Sequence, residues 1–215
     1  MKIKKLFLLG VILFSLVGCT NIKDLNYNDI LNVFNINEKN PNTFRSGFQF
    51  YVPAGLIMEE SGSNYAIFTS EKATYYMYVD LVSYSNKNQI EYKEDASLEF
   101  SKSFKHDKKQ GYIEIKLWEN NQYLIEIMYN YAKIEVMVEK SLINESLINS
   151  INILNSIKYD DIIIDRLLND DKLSYTEEVY ELFEEHKNNS NYLQYEDTDE
   201  IEQEKDEIID TDFIN

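Results

Sequence analysis

Residues 123–156 read YLIEIMYNYAKIEVMVEKSLINESLINSINILNS, and a change of period inside this stretch decides the fold class. Tyr123, Ile125, Ile127 and Tyr129 occupy every second position, and Ile134, Val136 and Val138 repeat the pattern. Successive side chains of a strand point to opposite faces, so each run presents one apolar face. A turn near Asn130–Ala132 joins the two as a hairpin. Past Glu139 the spacing changes. Ile143, Leu147, Ile151 and Leu154 recur at i, i+4, i+8 and i+11, with Ile148 widening the stripe, which predicts one long helix with a face to bury. Ser141 is its expected N-cap, and the stripe ends near Ser156.

Working upstream, Tyr112–Trp118 alternates Tyr/Glu and Ile/Lys, a further strand. Ala96, Phe100 and Phe104 stand four apart, which predicts a short helix over Ala96–Phe104, with a basic loop next at Lys105–Gln110. Thr74–Tyr84 is rich in Tyr, Val and Met on both faces, as in a strand covered on both sides. Tyr65–Phe68 is a short strand introduced by Ser61-Gly62-Ser63-Asn64, and Gly47–Pro53 alternates until Pro53-Ala54-Gly55 turns the chain. Before these, Leu25, Ile30, Leu31, Phe34 and Ile36 suggest a helix over Asn26–Asn35, capped by Asp24 or Asn26. It is either a spacer or an element packed on the domain C-terminal to it. The expectation is therefore an α+β fold: an antiparallel sheet of about six strands with helices packed on it.

The segment from Phe48-Gln49-Phe50-Tyr51-Val52-Pro53 to Ile153-Leu154-Asn155-Ser156-Ile157 resembles the Mog1/PsbP-like superfamily. Domains of that group likewise open with an aromatic strand running into a Pro-containing turn and close with a helix of this kind. The resemblance covers about half of the chain. It implies a non-enzymatic binding or assembly role.

The net charge of −17 is unevenly spread. Residues 1–18 carry +3, residues 19–159 carry −4 and residues 160–215 carry −16. A polyanionic end repels phosphate backbones, so nucleic acid is excluded as a partner. Within that end, Ile162–Leu168 predicts an amphipathic helix capped by Asp160 or Asp161. Ser174-Tyr175-Thr176-Glu177 is a capping box that opens a second helix to about His186. Residues 188–215 form an acidic stretch expected to be disordered, either solvated or binding a partner.

Residues 1–19 read MKIKKLFLLGVILFSLVGC: a basic head, an apolar run shorter than the roughly 20 residues that span a bilayer, and a small residue before the single cysteine. Leu16-Val17-Gly18-Cys19 resembles the lipobox of bacterial lipoproteins. The resemblance implies a diacylglyceryl group on Cys19, cleavage before it, and a location on the extracytoplasmic face of the cell membrane. Two acyl chains suffice for stable anchoring. The expected organisation is a signal peptide at 1–18, a tether with a short helix at 19–45, an α+β domain at 46–159, helices at 160–187 and the acidic tail at 188–215.

Chemistry-bearing motifs are sparse. One cysteine permits no intrachain disulfide or thiolate cluster, and His106 and His186 are too few for a histidine metal site. Gly-rich phosphate loops, a Gly-x-Ser-x-Gly elbow and a His-Glu-x-x-His helix are all missing from the sequence. Glu59-Glu60, Asp160-Asp161 and Asp170-Asp171 are adjacent, so each pair diverges on a strand or helix. Two features are candidate binding surfaces: the rings of Tyr75, Tyr76, Tyr78, Tyr84, Trp118 and Tyr123, and the cluster Lys102, Lys105, Lys108 and Lys109. No catalytic residue, metal or cofactor is expected. The expected function is a membrane-anchored binding or assembly module with a cell-envelope protein or polymer as partner. The alternative is a small envelope hydrolase whose acids converge only in the fold.

Overall fold

A computed structural model describes residue 22 and residues 25–35, 38–89 and 91–169. Cys19, the capping box at 174–177, His186 and the acidic tail lie outside these residues. The described part is α+β. Seven antiparallel strands form one sheet: β3 (Ile57–Ser61), β4 (Tyr65–Thr69), β5 (Thr74–Val79), β6 (Phe100–His106), β7 (Lys109–Leu117), β8 (Gln122–Tyr129) and β9 (Ala132–Glu139), in the spatial order β3-β4-β5-β9-β8-β7-β6. A second sheet of three strands is built from β1 (Thr43–Arg45), β2 (Phe48–Phe50) and β10 (Lys158–Tyr159), with β2 in the middle.

Residues 123–156 fold as their periods predict. Asn130 and Tyr131, both at positive φ, make the two-residue turn that pairs Tyr129 with Ala132. Ile125, Ile127, Ile134 and Val136 are fully buried on one face of the hairpin. The long helix α3 (Ile143–Asn155) lies across that face and buries Ile143, Leu147, Ile151 and Leu154. Each such aliphatic side chain contributes about 1.5–3 kcal/mol through burial. Ser141 does not cap this helix: a 3-10 turn at Lys140–Leu142 precedes it, and no side chain bonds its first amides.

The helix expected near Asn26–Asn35 is α1 (Tyr27–Leu31) continued by a 3-10 turn to Asn35, with the Asn26 side chain accepting from the Asp29 amide. It packs on the domain, with Ile30 and Phe34 buried in the core. Two smaller helices, α2 (Leu81–Asn86) and α4 (Asp161–Asn169), pack on each other. Asp160 caps α4 by accepting from the Ile163 amide at 3.1 Å.

Several sequence expectations are corrected. Ala96–Phe104 is not a helix: residues 100–106 are the edge strand β6. A spacing of four is even, so Phe100 and Phe104 share a face on a strand as well as on a helix. The basic loop shrinks to the turn Asp107–Lys108, with Asp107 at positive φ. The strand from Thr74 stops at Val79, because Asp80 caps α2 through the Ser83 amide at 2.8 Å. The outer face of β5 is half-exposed rather than covered. Periodicity alone does not reveal strands β1, β3 and β10; the antiparallel sheet expected at about six strands is present with seven.

The small sheet closes one side of the core. Gly47, at φ +91°, completes the tight turn between β1 and β2, a conformation that glycine adopts at no steric cost. Phe48 and Phe50 point inward, and the Tyr51 amide donates to the Ser156 hydroxyl at the end of α3 at 2.7 Å. Arg45 on β1 reaches the Ser61 hydroxyl on β3 at 2.9 Å. Strand β3 itself carries a register shift between Met58 and Glu60.

Candidate functional site

The face of the main sheet opposite α3 gathers the polar chemistry of the domain. Strand register sets it. Ser101, Glu114, Glu126, Glu135 and Tyr76 lie in one row across β6, β7, β8, β9 and β5. Ser103, Tyr112, Met128, Lys133 and Tyr78 form the next row. Three glutamates thus stand directly opposite one another, where like charges destabilise a sheet.

Each carboxylate has a partner that offsets this. Lys133 Nζ sits 2.7 Å from Glu135 and 3.7 Å from Glu126. The Tyr112 hydroxyl donates to Glu126 at 2.5 Å, and the Tyr92 hydroxyl donates to Glu114 at 2.7 Å. Tyr92 belongs to residues 91–95, which fold over β6. Its ring stacks on Tyr112 with centroids 4.1 Å apart and planes within 4°. Its hydroxyl has already donated, so Ser101 Oγ donates to it at 2.6 Å. Asp95 N in turn donates to Ser101, and the Ser103 amide donates to Glu94.

Burial pushes the Glu126 carboxyl above the ordinary carboxylate value, opposed by Lys133 and Tyr112 and reinforced by Glu135 and Glu114. Burial likewise raises the Tyr112 and Tyr92 hydroxyls, so both rings remain neutral donors. The result is a rigid, tyrosine-faced plate with three carboxylates and one ammonium. It is suited to accepting hydrogen bonds from cationic, amide or hydroxyl groups and to stacking flat ligands.

A pH-dependent stability follows from Glu126. Its folded pKa exceeds the ordinary 4.5, so its contribution is fully present below that value and is lost as pH rises through the folded pKa. Glu126→Gln mimics the protonated form. It is expected to match the wild type in acid, to exceed it near neutrality, and to flatten the dependence, as read from denaturant midpoints. A variant that is weaker near neutrality would show that the charge is fully compensated.

The six aromatic residues singled out from the sequence do not form one surface. Tyr75 and Tyr123 are buried under α3, where the Tyr75 hydroxyl meets Ser146 at 3.3 Å. Tyr76 and Tyr78 lie on the outer plate. Tyr84 lies on α2, stacked 3.9 Å from Tyr159 and donating to Asp161 at 2.6 Å. Trp118 follows β7, with Lys116 Nζ 5.6 Å from its ring centroid. The lysine cluster also divides. Lys102 pairs with Glu94 at 4.0 Å, Lys109 lies near the Tyr129 ring, and Lys105 and Lys108 are exposed. His106 ends β6, with Nε2 3.7 Å from Asp107.

Glu59 and Glu60 do not diverge as a regular strand predicts: at the register shift in β3 both reach the same face of β4, where they accept from Thr69 and Tyr65. Asp160 and Asp161 serve different partners, and Asp170-Asp171 lies outside the described residues. Among the described residues no three His, Cys, Asp or Glu side chains converge to hold a metal ion, and no helix is long and apolar enough to cross a membrane. The residues that sequence reasoning missed are Glu114, Glu126, Lys133, Glu135, Tyr92 and Tyr112. The signal was present for two of them, because a two-residue turn at 130–131 places Glu126 opposite Glu135. No protein-family model matches the chain, and no curated protein matches it.

Proposed function

We propose that this chain is a lipid-anchored, extracytoplasmic binding or assembly module that engages a cell-envelope protein or polymer through the outer face of its main sheet. The observation that carries this reading is the hydrogen-bonded plate of Tyr76, Tyr78, Tyr92, Tyr112, Glu126 and Lys133. Half-buried tyrosines held by fixed partners lose little freedom on binding, and such rings are enriched at interfaces. The anchor rests on Leu16-Val17-Gly18-Cys19 and the apolar run before it.

Two experiments test the two parts. Cys19→Ser is expected to abolish incorporation of labelled fatty acid into the chain and to leave residues 1–18 uncleaved, since the acyl chains attach through the thiol. Equal acyl labelling of the variant and the wild type would overturn the anchor. A photo-crosslinking residue at Tyr78 is expected to capture an envelope component in living cells, whereas the same probe at exposed Phe44 captures none. Equal or absent capture at both positions would overturn the plate as the partner surface.

The envelope-hydrolase reading keeps one specific support. Burial biases Glu126 toward its neutral form, and a carboxyl so raised, directly opposite Glu135 on β9, is placed to act as a general acid. Turnover of wall polymer by the wild type, abolished in Glu126→Gln, would favour it. Equal turnover, or none in either protein, removes it.

A further inference from the structure

One end of the main sheet collects features that the outer plate does not use. Asn144, in the first turn of α3, donates its side-chain amide to the Ile22 carbonyl at 2.9 Å and to the Leu25 carbonyl at 2.8 Å. The chain leading into the domain is therefore fastened to it at Ile22 and at Leu25. Beside this contact lies a shallow groove of about 330 Å³ between Leu25, Asn26, Tyr27, Lys140, Ser141 and Asn144. Lys140 reaches onward, 5.8 Å from the ring centroid of Tyr123, and Tyr123 pairs across the strands with Leu117.

Leu117 is 57% exposed and Ile22 is 44% exposed. Trp118 stands next to Leu117, and its loop is closed by its own amide donating to the Gln122 carbonyl at 2.8 Å. Asn120 and Asn121 come next at positive φ, which holds the loop tight. So an exposed leucine, an exposed isoleucine, a tryptophan and two lysines share one fixed end of the fold.

The length of chain before Ile22 says what this end faces. Ile22 stands three positions after Cys19, and three extended residues span at most about 11 Å. If Cys19 carries a diacylglyceryl group, Ile22 is confined to within that distance of the lipid surface. We propose that the sheet end bearing Ile22, Leu117, Trp118 and Lys140 rests on the headgroup layer of the bilayer, so that the domain stands on this end rather than hanging from a loose tether. The inference rests on the lipid-anchor reading.

The residue types fit a bilayer interface. Tryptophan partitions there, with its ring among the acyl ends and its N–H toward water. Lysines lay their stems along apolar surface and keep the ammonium in water. Glu99, Glu119 and Glu139 outnumber Lys116 and Lys140 at this end. The contact is thus made by apolar and aromatic burial, not by attraction to anionic lipid, and is insensitive to salt.

The chain has a single tryptophan, so its emission reports on this end alone. The lipidated protein would be reconstituted into phosphatidylcholine vesicles carrying bromine near the acyl carbonyls, with and without phosphatidylglycerol. Trp118 emission is expected to fall roughly twofold relative to unbrominated vesicles, as for an interfacial ring, with a blue shift that salt and phosphatidylglycerol leave unchanged. Leu117→Glu, at a position 57% exposed, is expected to abolish most of the quenching while the denaturant midpoint stays near that of the wild type. Unquenched emission from protein whose N-terminal peptide carries the lipid by mass overturns this orientation while the anchor stands. A lipid-free Cys19 overturns both. Emission that shifts blue without bromine quenching points to a protein neighbour and also overturns it.

Discussion

Gly111→Ala is expected to cost the domain about 3 kcal/mol, the upper end of what overpacking a core costs. Gly111 on β7 pairs with Tyr129 on β8, and a Cβ there would fall 2.1 Å from the Met128 carbonyl oxygen and 3.0 Å from the Tyr129 Cα. The obstructing atoms are main chain, so no rotamer change relieves them and the two strands have to part. Phe104, Gly111 and Tyr129 are neighbours across β6, β7 and β8, and the two rings stack with centroids 5.6 Å apart over the glycine between them. Phe34 joins them at 4.6 Å from each, which ties α1 and its 3-10 extension to the sheet at the same place. Removing glycine's freedom in the unfolded chain returns only about 0.4–1 kcal/mol. The net loss corresponds to a thermal midpoint lower by about 10 °C for a domain of this size. A drop below about 2 °C would show that β7 and β8 separate at almost no cost.

Phe50→Ala is expected to be more damaging, at about 3–5 kcal/mol. Phe50 is fully buried on the central strand of the small sheet, 5.9 Å from Phe48 and edge-on to Phe68 of the main sheet at 5.8 Å. It is the ring through which the two sheets share one core, so its removal opens a cavity at their junction. Phe50→Leu keeps most of the volume and is expected to cost less than about 1.5 kcal/mol. The contrast between the two variants, measured by chemical denaturation, separates loss of packing from loss of the aromatic ring. A cost for Phe50→Ala as small as that of Phe50→Leu would mean that the small sheet folds without help from the main one.

What was legible in the chain came from period and punctuation. The β8–β9 hairpin and α3 were readable because their apolar residues repeat cleanly and Asn130–Tyr131 allows a tight turn. The α+β class came from that stretch. The helix wrongly expected at Ala96–Phe104 shows the weakness of spacing alone: four is a multiple of two, and the serines between the phenylalanines carry no signal for either face. Strand β3 was illegible because its residues are almost all exposed, so its pattern holds no alternation. Strand β10 is two residues long and exists only because β2 is there to pair with it. The outer plate was hidden for a different reason. Glu114, Glu126 and Glu135 each looked like the polar half of an alternating strand, and only the register of three strands makes them one row. Tyr92 was unreachable, since a loop residue folding back on its neighbours leaves no periodic trace.

Among the described residues, each side of the main sheet ends in a strand with one ladder edge that no further strand pairs, β3 on one side and β6 on the other. Copies crowded on one surface would pair edge to edge through backbone hydrogen bonds, and a head-to-tail contact of that kind does not close, so it grows into a filament. Two features of these edges stand in the way. The register shift between Met58 and Glu60 breaks the ladder that β3 offers, and Glu94 occupies the outward Ser103 amide of β6. Restoring a straight β3 by deleting one residue of the bulge is expected to add strand-paired oligomers to those of the wild type, as read by light scattering.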